Sequence, residues 1–338
     1  LYSSAASDVY KRQGVELERQ NLKGKGNLVA KINSYRCNVK KPDDFESYWE
    51  DVISRADNVP LNAVCEKDPL RSSNDISVYE VFYDSIDNVR VSGWYSLPVK
   101  HEGQIPAILL LPGYQSDPAI PKDWARKGYA CLSVNPRGKV RSRQQFDPGY
   151  PGLLTYSITD KNTYSYRGFY VDVWRGIDFL TFREEVDALR IGVTGSSQGG
   201  GLTITTAAMR HEIKAAAAGA PYLCGFMDAI ELTDSYPYQE INDYLIQYPE
   251  SRDSVKNTLA YFDGHNFADK IECPIILNIG IQDNICPPET AYSLFESIGS
   301  KNKKLYEYDG HGHEAGRYLH SSVIEDFFDL HLKKGSLL

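Results

Sequence analysis

The chain has 338 residues, of which 42% are hydrophobic and 24% charged, as is ordinary for a globular protein with a large core. Its formal net charge of −8 disfavours a nucleic-acid partner, because an acidic surface repels phosphate groups. No apolar run reaches about 18 residues, so we expect no membrane-spanning helix.

The amino terminus is predicted to have two parts. Residues 1–13 look like non-native adapter sequence, and they lack the charged start and apolar centre of a signal peptide. We therefore expect a cytoplasmic protein, with the loss of a natural signal peptide as the alternative. Residues 14–75 are predicted to form a helical extension, because residues 45–56 have an amphipathic helical pattern.

Residues 76–338 are predicted to form an α/β domain. Residues 77–82 and 89–97 alternate in polarity like antiparallel strands, with a turn at Asp87 and Asn88. Further strand-like runs then alternate with helical segments, at residues 107–111, 130–134, 190–194, 215–218, 275–279 and 304–308. This alternation predicts a mostly parallel, doubly wound sheet with helices on both faces.

Two other segments of the domain have distinctive patterns. Residues 166–180 place apolar side chains at helical spacing, so we expect a helix packed on the sheet, with Trp174 in the core. Asp172 and Arg175 are three residues apart on this helix and are expected to pair. Residues 222–268 are polar and aromatic and interrupt the strand rhythm. We expect them to form an insertion that covers the functional site.

The most informative motif is Gly-x-Ser-x-Gly at residues 195–199. It follows a strand-like run and precedes a run of small residues, which is the pattern of a nucleophile elbow. Ser197 is therefore the candidate nucleophile. A turn serine that caps the next helix would give the same pentapeptide, so the interpretation depends on partner residues.

A serine nucleophile needs a base and an acid that orients the base. After an elbow these partners follow in the order Asp or Glu, then His. Asp283 comes after the run 275–279, and both His311 and His313 come after the run 304–308. Parallel strands end at the same edge of a sheet, so we expect Asp283 and one histidine to lie near Ser197.

Zinc binding by His311, His313 and Glu314 is the competing interpretation, since His-x-His is a common ligand spacing. The other histidines form no second cluster at ligand spacing. We therefore expect no metal and no cofactor. The six cysteines include no Cys-x-x-Cys pair, which predicts buried free thiols, and Cys286 is expected to pack rather than react.

Several stretches resemble carbohydrate esterase family 7, the acetyl xylan esterase and cephalosporin C deacetylase family of α/β-hydrolases. They are residues 41–49, 150–155, 166–172, 195–201, 236–241, 261–263, 266–268, 283–288 and 313–314. The resemblance implies an α/β-hydrolase fold with Ser197 as nucleophile, Asp283 as orienting acid and His313 as general base. It favours His313 over His311 because the family's histidine directly precedes a glutamate.

An oxyanion hole is also expected, because a tetrahedral intermediate needs fixed N–H donors. One donor should be the N–H of Gln198, directly after the nucleophile. The second should come from the loop at residues 112–115, and the resemblance assigns it to Tyr114. The Tyr114 ring is also a candidate wall of the acyl pocket.

One departure from the family pattern lies at Lys139, where the family usually has glutamine after Arg137 and Gly138. If the loop 139–149 shapes the approach to the site, this change affects substrate preference. Basic loop residues are more often simply solvated, and that is the interpretation we favour for Lys139 and the basic run 140–143.

The sequence as a whole predicts a serine esterase that removes small acyl groups, chiefly acetyl, from sugar hydroxyls such as those of acetylated xylo-oligosaccharides. The resemblance adds cephalosporin C as a further substrate and a homo-oligomer, expected to be a hexamer. The alternatives are a serine carboxylesterase or peptidase of other specificity and a non-catalytic carbohydrate-binding relative.

Overall fold

A single mixed sheet lies at the centre of the computed structural model, which describes residues 32 and 34–334. The expectations for residues 1–13 and for residues 14–31 of the predicted extension lie outside the described residues. The strands are β1 (Val64–Lys67), β2 (Ile76–Asp84), β3 (Arg90–Pro98), β4 (Ile105–Leu111), β5 (Ala130–Asn135), β6 (Val186–Ser196), β7 (Ile213–Gly219), β8 (Ile275–Gly280) and β9 (Lys303–Tyr308).

The strand order in this sheet is β1-β2-β3-β5-β4-β6-β7-β8-β9. β1, β2 and β3 pair antiparallel, and β3 also pairs antiparallel with β5. Every pairing from β5 through β9 is parallel. The predicted strands and their mostly parallel arrangement are confirmed. The edge strand β1 was not predicted, since its four residues carry little apolar signal.

Helices occupy the connections between the strands and flank the sheet. They are α1 (Phe45–Asp57), α2 (Lys122–Arg126), α3 (Ser165–Thr181), α4 (Gln198–Met209), α5 (Phe226–Leu232), α6 (Gln239–Gln247), α7 (Arg252–Leu259), α8 (His265–Ala268), α9 (Pro288–Ser297) and α10 (Arg317–Phe328). None of the helices in the described ranges combines the length and the apolar character needed to cross a membrane.

Both faces of the sheet are buried, as the near-continuous apolar runs of its parallel strands require. Successive side chains of a strand point to opposite faces. In β4, Ala107 and Leu109 belong to the main core, which also contains residues of α3 and α4. Ile108 between them packs in a second core with Phe328 of α10. Each parallel strand therefore presents apolar side chains to both faces of the sheet, and helices are needed on both faces to bury them.

Helix α1 is anchored to the domain by an aromatic cluster. Trp49 is fully buried, and its indole N–H donates to the Tyr261 carbonyl at 2.9 Å. The Trp49 ring also lies 5.1 Å from the Trp174 ring, centroid to centroid. Trp174 is 3% exposed, which confirms its predicted place in the core.

The predicted pair of Asp172 and Arg175 on α3 is wrong. Asp172 instead receives the buried guanidinium of Arg137, with Nε 2.9 Å from Oδ2 and Nη2 3.0 Å from Oδ1. Arg175 lies 3.4 Å from Asp178. Because α3 is buried on most sides, partners from other elements compete with neighbours on the same helix. The absence of a side chain at Gly168 leaves the room that the Arg137 guanidinium occupies.

Helices α5 to α8 lie between β7 and β8, in the segment expected to form the insertion. Glu240 on α6 accepts a hydrogen bond from the Tyr114 hydroxyl at 2.7 Å. Thr233, which follows α5, donates to the Asn284 carbonyl. This segment therefore contacts both the loop after β4 and the loop after β8.

Candidate active site

Ser197 lies at the sharp turn between β6 and α4. Its backbone has φ 60° and ψ −122°, in the positive-φ region that costs a residue with a Cβ atom conformational energy. Two hydrogen bonds hold it there: its N–H donates to the Gly219 carbonyl at 2.9 Å, and its carbonyl accepts from the Tyr222 N–H at 3.0 Å. This is the strained strand-to-helix geometry of a nucleophile elbow.

The two glycines of the motif allow the close approach that this turn needs. A Cβ on Gly195 would lie 2.7 Å from the backbone of Gly199, well inside van der Waals distance. A Cβ on Gly199 would collide with the Leu111 carbonyl at the end of β4. Both positions therefore require glycine because backbone, rather than a movable side chain, fills the space.

Asp283 follows β8 and His313 follows β9, and the structure brings these side chains together. His313 Nδ1 lies 2.8 Å from Asp283 Oδ2. Asp283 Oδ1 accepts the backbone N–H groups of Ile285 and Cys286 at 2.8 and 2.9 Å. The carboxylate is 6% exposed, so its orientation is held by three hydrogen bonds in a buried setting.

His311 makes a different contact. Its Nδ1 lies 2.9 Å from Glu314 Oε1, and both side chains are partly exposed. The residues of the competing zinc interpretation are thus divided, because His311 pairs with Glu314 while His313 pairs with Asp283. Of the two histidines, His313 alone contacts the candidate orienting acid.

Cys286 lies close to this pair, and ligand atoms of Asp283, Cys286 and His313 fall within 4.8 Å of one another. Burial, followed by the nearby Asp283 charge, raises the pKa of the Cys286 thiol well above its usual value. Asp283 already accepts three hydrogen bonds, from His313 and from two backbone N–H groups. The buried, protonated thiol of Cys286 fits the predicted packing role.

The candidate oxyanion donors Tyr114 and Gln198 lie on neighbouring elements. Tyr114 is in the loop after β4, which pairs directly with β6, and Gln198 begins α4. Within the described part of the chain, the backbone N–H groups of both residues have no acceptor. The Gln198 side chain is fully buried, and Tyr166 donates to its Oε1 at 2.7 Å.

The Tyr114 side chain is held by hydrogen bonds to Leu154 and to residues 222–268, the covering segment. Its hydroxyl donates to Glu240 Oε1 at 2.7 Å and accepts from the Leu154 N–H at 3.1 Å. Glu240 Oε2 accepts the Gly152 N–H at 2.9 Å. Burial raises the pKa of the Glu240 carboxyl. Sequence reasoning missed Glu240, although it lies in one of the stretches that carried the family resemblance.

The solvated interpretation of Lys139 is wrong. Lys139 is 1% exposed, and its Nζ donates to the Tyr114 carbonyl at 2.7 Å and to the Ser116 carbonyl at 3.1 Å. Burial lowers the pKa of the ammonium to about 8. Arg141 and Arg143 are exposed as expected. No sequence signal distinguishes Lys139 from them, because its acceptors come from a loop more than 20 residues earlier.

A cavity of about 550 Å³ is lined by Ser197 and His313 and continues along the loop after β4 past Gly113 and Ser116. A larger cavity of about 640 Å³ lies between residues 38–44 and the covering segment, and it contains no triad candidate. The smaller cavity is therefore the candidate active site. Here the candidate nucleophile and a base paired with a carboxylate border one space.

Comparison with known proteins gives one family match and close structural relatives. The family model for acetyl xylan esterase (AXE1) matches residues 27–329. Acetyl esterase Axe7A of Xylanibacter ruminicola is 27% identical over 285 residues, covering 79% of this chain and 62% of that protein. The chain thus spans less than two thirds of the length of this curated relative.

Two solved structures match over nearly their whole lengths. The acetyl xylan esterase from Paenibacillus sp. R4 has a TM-score of 0.83 and 32% identity, covering 90% of this chain and 99% of that one. Acetyl xylan esterase 1 from Thermoanaerobacterium sp. JW/SL YS485 has a TM-score of 0.81 and 25% identity, covering 89% and 98%. These matches confirm the expected α/β-hydrolase fold.

Proposed function

The chain belongs to the acetyl xylan esterase (AXE1) family, and on this premise we propose that it is a serine esterase that removes acetyl and other small acyl groups from sugar hydroxyls. The observation that carries the proposal is the meeting of Ser197 and His313 at one cavity, with Asp283 bonded to the histidine. The printed names of the relatives support acetyl esters as the substrate class.

In the proposed reaction Ser197 Oγ attacks the ester carbonyl while His313 Nε2 accepts the hydroxyl proton. The N–H groups of Tyr114 and Gln198 stabilise the oxyanion of the tetrahedral intermediate. Collapse expels the sugar alkoxide, which takes the proton from His313 and leaves an acetyl group on Ser197. Water repeats the sequence, releasing acetate and restoring the serine. Asp283 holds the imidazole and stabilises its charged form throughout.

A small acyl group suits the residues around Tyr114. Its ring is 5% exposed and packs edge-on against the Tyr150 ring at 4.8 Å and against the Tyr222 ring at 6.1 Å. Tyr222 is itself fully buried and follows the strand next to β6. We propose that these tightly packed rings limit the acyl group to a small size.

Two variants test the nucleophile. Ser197→Ala should abolish hydrolysis of p-nitrophenyl acetate while leaving the thermal unfolding midpoint within a few degrees. Ser254→Ala is the matched control, since this serine on α7 is exposed and does not line the cavity, and it should keep near wild-type activity. Activity retained by Ser197→Ala, or lost equally in both variants, would refute the proposed nucleophile.

A substrate panel tests the specificity. We expect acetylated xylo-oligosaccharides and p-nitrophenyl acetate to be hydrolysed, with kcat/KM falling steeply from acetate to octanoate. Cephalosporin C belongs in the same panel because it also presents an acetyl ester. A preference for octanoate would favour a broader carboxylesterase, and cleavage of p-nitroanilide peptides would favour a peptidase.

Two broader expectations join the proposal. All six cysteines are free thiols, which supports a reducing, cytoplasmic location. The family resemblance supports a homo-oligomer, and we propose a hexamer. Sedimentation velocity on the purified chain should give six times the monomer mass, whereas a monomer would contradict it. Cell fractionation, with titration of six thiols after denaturation, checks the location.

A further inference from the structure

Lys139 is a buried ammonium beside the candidate oxyanion hole. It follows β5 and reaches across to the loop after β4, where it donates to two main-chain carbonyls, those of Tyr114 and Ser116. Its Nζ also lies 4.8 Å from the centre of the Tyr150 ring. The ammonium therefore has two carbonyl acceptors and an aromatic face, which together offset part of the cost of burying its charge.

This lysine is not placed to contact substrate. It is 1% exposed and does not line the cavity at Ser197, whereas Gly113 and Ser116 of the loop it holds do line it. Any effect on the reaction must therefore pass through that loop. The Tyr114 carbonyl and the N–H that we propose as oxyanion donor belong to adjacent planar peptide units joined at the Tyr114 Cα atom, so once the carbonyl is held only φ and ψ of Tyr114 can reorient the N–H.

We propose that Lys139 is a positioning residue for the oxyanion hole, whose protonated ammonium holds the Tyr114 peptide in the orientation that the transition state requires. The inference rests on the proposed function, because it assumes that the Tyr114 N–H stabilises an oxyanion. It also explains how lysine serves where an uncharged glutamine is usual: the loop after β4 supplies two carbonyl acceptors in a buried place.

The strength with which Lys139 holds the loop after β4 depends on whether its side chain is protonated. A charged ammonium forms hydrogen bonds roughly twice as strong as those of a neutral amine, and it offers three N–H groups instead of two. The pKa of Lys139 is lowered to about 8, chiefly by burial and also by Arg143, while Asp117 acts in the opposite direction. The other ionisable groups at this position are the phenols of Tyr114 and Tyr150, with Glu240 bonded to the first. Burial raises the pKa of both phenols above the range in which Lys139 loses its proton.

The test compares Lys139→Met, Lys139→Gln and the wild type with p-nitrophenyl acetate between pH 6 and 10. Lys139→Met keeps the side-chain volume without donors, and at pH 7 its kcat should fall about 10- to 100-fold with KM changed less than about threefold. The wild-type kcat should decline as pH rises through about 8. Lys139→Gln keeps uncharged donors, so it should retain more kcat than Lys139→Met and lose that decline. Arg141→Gln, an exposed position on the same turn, should match the wild type at every pH.

The outcomes distinguish failure of the Lys139 proposal from failure of the esterase proposal. If Ser197→Ala is inactive but Lys139→Met keeps wild-type kcat, or changes KM alone, the role of Lys139 is refuted and the esterase proposal stands. A shared alkaline decline in wild type and Lys139→Gln would also refute it. If the wild type shows no Ser197-dependent hydrolysis, both fail. If Lys139→Met lacks a thermal transition, the pH profile of Lys139→Gln decides.

Discussion

His313 Nδ1 lies 2.8 Å from Asp283 Oδ2. A carboxylate can only accept, so this contact keeps the Nδ1 proton in place and leaves Nε2 to act as the base. Asp283 is in turn oriented by two backbone N–H groups of its own loop. The imidazole at the cavity therefore has a defined tautomer and direction, and its carboxylate partner is buried, whereas Glu314, the partner of His311, is partly exposed.

The two histidines should differ sharply when replaced. His313→Ala should lower kcat by about 10⁴-fold or more, because the serine loses its base. His311→Ala should leave kcat within about threefold of wild type, since its side chain contacts Glu314 rather than Asp283, and the bond from the Gln282 N–H to its carbonyl is kept. Steady-state kinetics with p-nitrophenyl acetate measure both. A greater loss in His311→Ala would transfer the role of base to that residue.

Replacing Glu240, whose carboxylate accepts the Tyr114 hydroxyl, should lower both kcat and the free energy of unfolding. In Glu240→Gln one carboxylate oxygen becomes an amide nitrogen, so either the Tyr114 hydroxyl or the Gly152 N–H loses its acceptor. We expect kcat to fall about tenfold and the unfolding free energy by about 1–2 kcal/mol. Kinetics and urea unfolding test this, with exposed Glu250→Gln as control. Unchanged kcat would show that these hydrogen bonds do not affect the reaction.

The buried pair of Arg137 and Asp172 should be costly to break. Asp172→Ala leaves a guanidinium that is almost entirely buried with Asp87 as its remaining carboxylate partner. We expect a loss of about 3–5 kcal/mol in the free energy of unfolding by urea. Asp123→Ala breaks an exposed pair with Arg126 and should change it by about 0.5 kcal/mol or less. A small effect of Asp172→Ala would mean that Asp87 and the Ile86 carbonyl suffice to hold Arg137.

His320 should make the fold sensitive to acid. It is 1% exposed, its Nδ1 lies 2.8 Å from the Tyr308 hydroxyl, and burial lowers its pKa from 6.5 to about 4. Between pH 6.5 and 4 the unfolded chain binds the proton and the folded chain does not. Stability is therefore lost as pH falls through this window, by about 3 kcal/mol from this group.

The measurement for His320 is the thermal midpoint at pH 7 and pH 4.5. His320→Gln keeps an acceptor for Tyr308 and does not titrate, so its midpoint should fall less on acidification than that of the wild type. His211→Gln, at an exposed site, should fall as much as the wild type does. Equal falls in wild type and His320→Gln would contradict the assignment.

Residue patterns close together in the chain predicted strands β2 to β9, helices α1 and α3 and the turn at Ser197. Alternation and helical spacing are local properties, and a strand buried on both faces must be apolar along its length. The Gly-x-Ser-x-Gly motif is local at Gly195, where a Cβ would clash with the backbone of Gly199, whereas the clash at Gly199 comes from Leu111 at the end of β4.

The partner of Asp172 and the burial of Lys139 could not be predicted in this way. Spacing along α3 favoured Arg175, but the helix is packed on most sides and Arg137 arrives from the loop after β5. The acceptors of Lys139 likewise come from the loop after β4. A lysine in a loop has the same sequence signature whether water or two carbonyls surround its ammonium.

The sequence by itself determined the order of strands and helices and the presence of a serine, an acid and two histidines after successive strands. The tertiary structure decided which charges lie inside the protein, and it shows His313, the histidine that the family resemblance favoured, in contact with Asp283. The physical reason is how far apart in the sequence the interacting residues lie. Secondary structure follows from interactions within a few residues, whereas the contacts of His313 and Lys139 join segments 30 and 25 residues apart, which only the assembled sheet brings together.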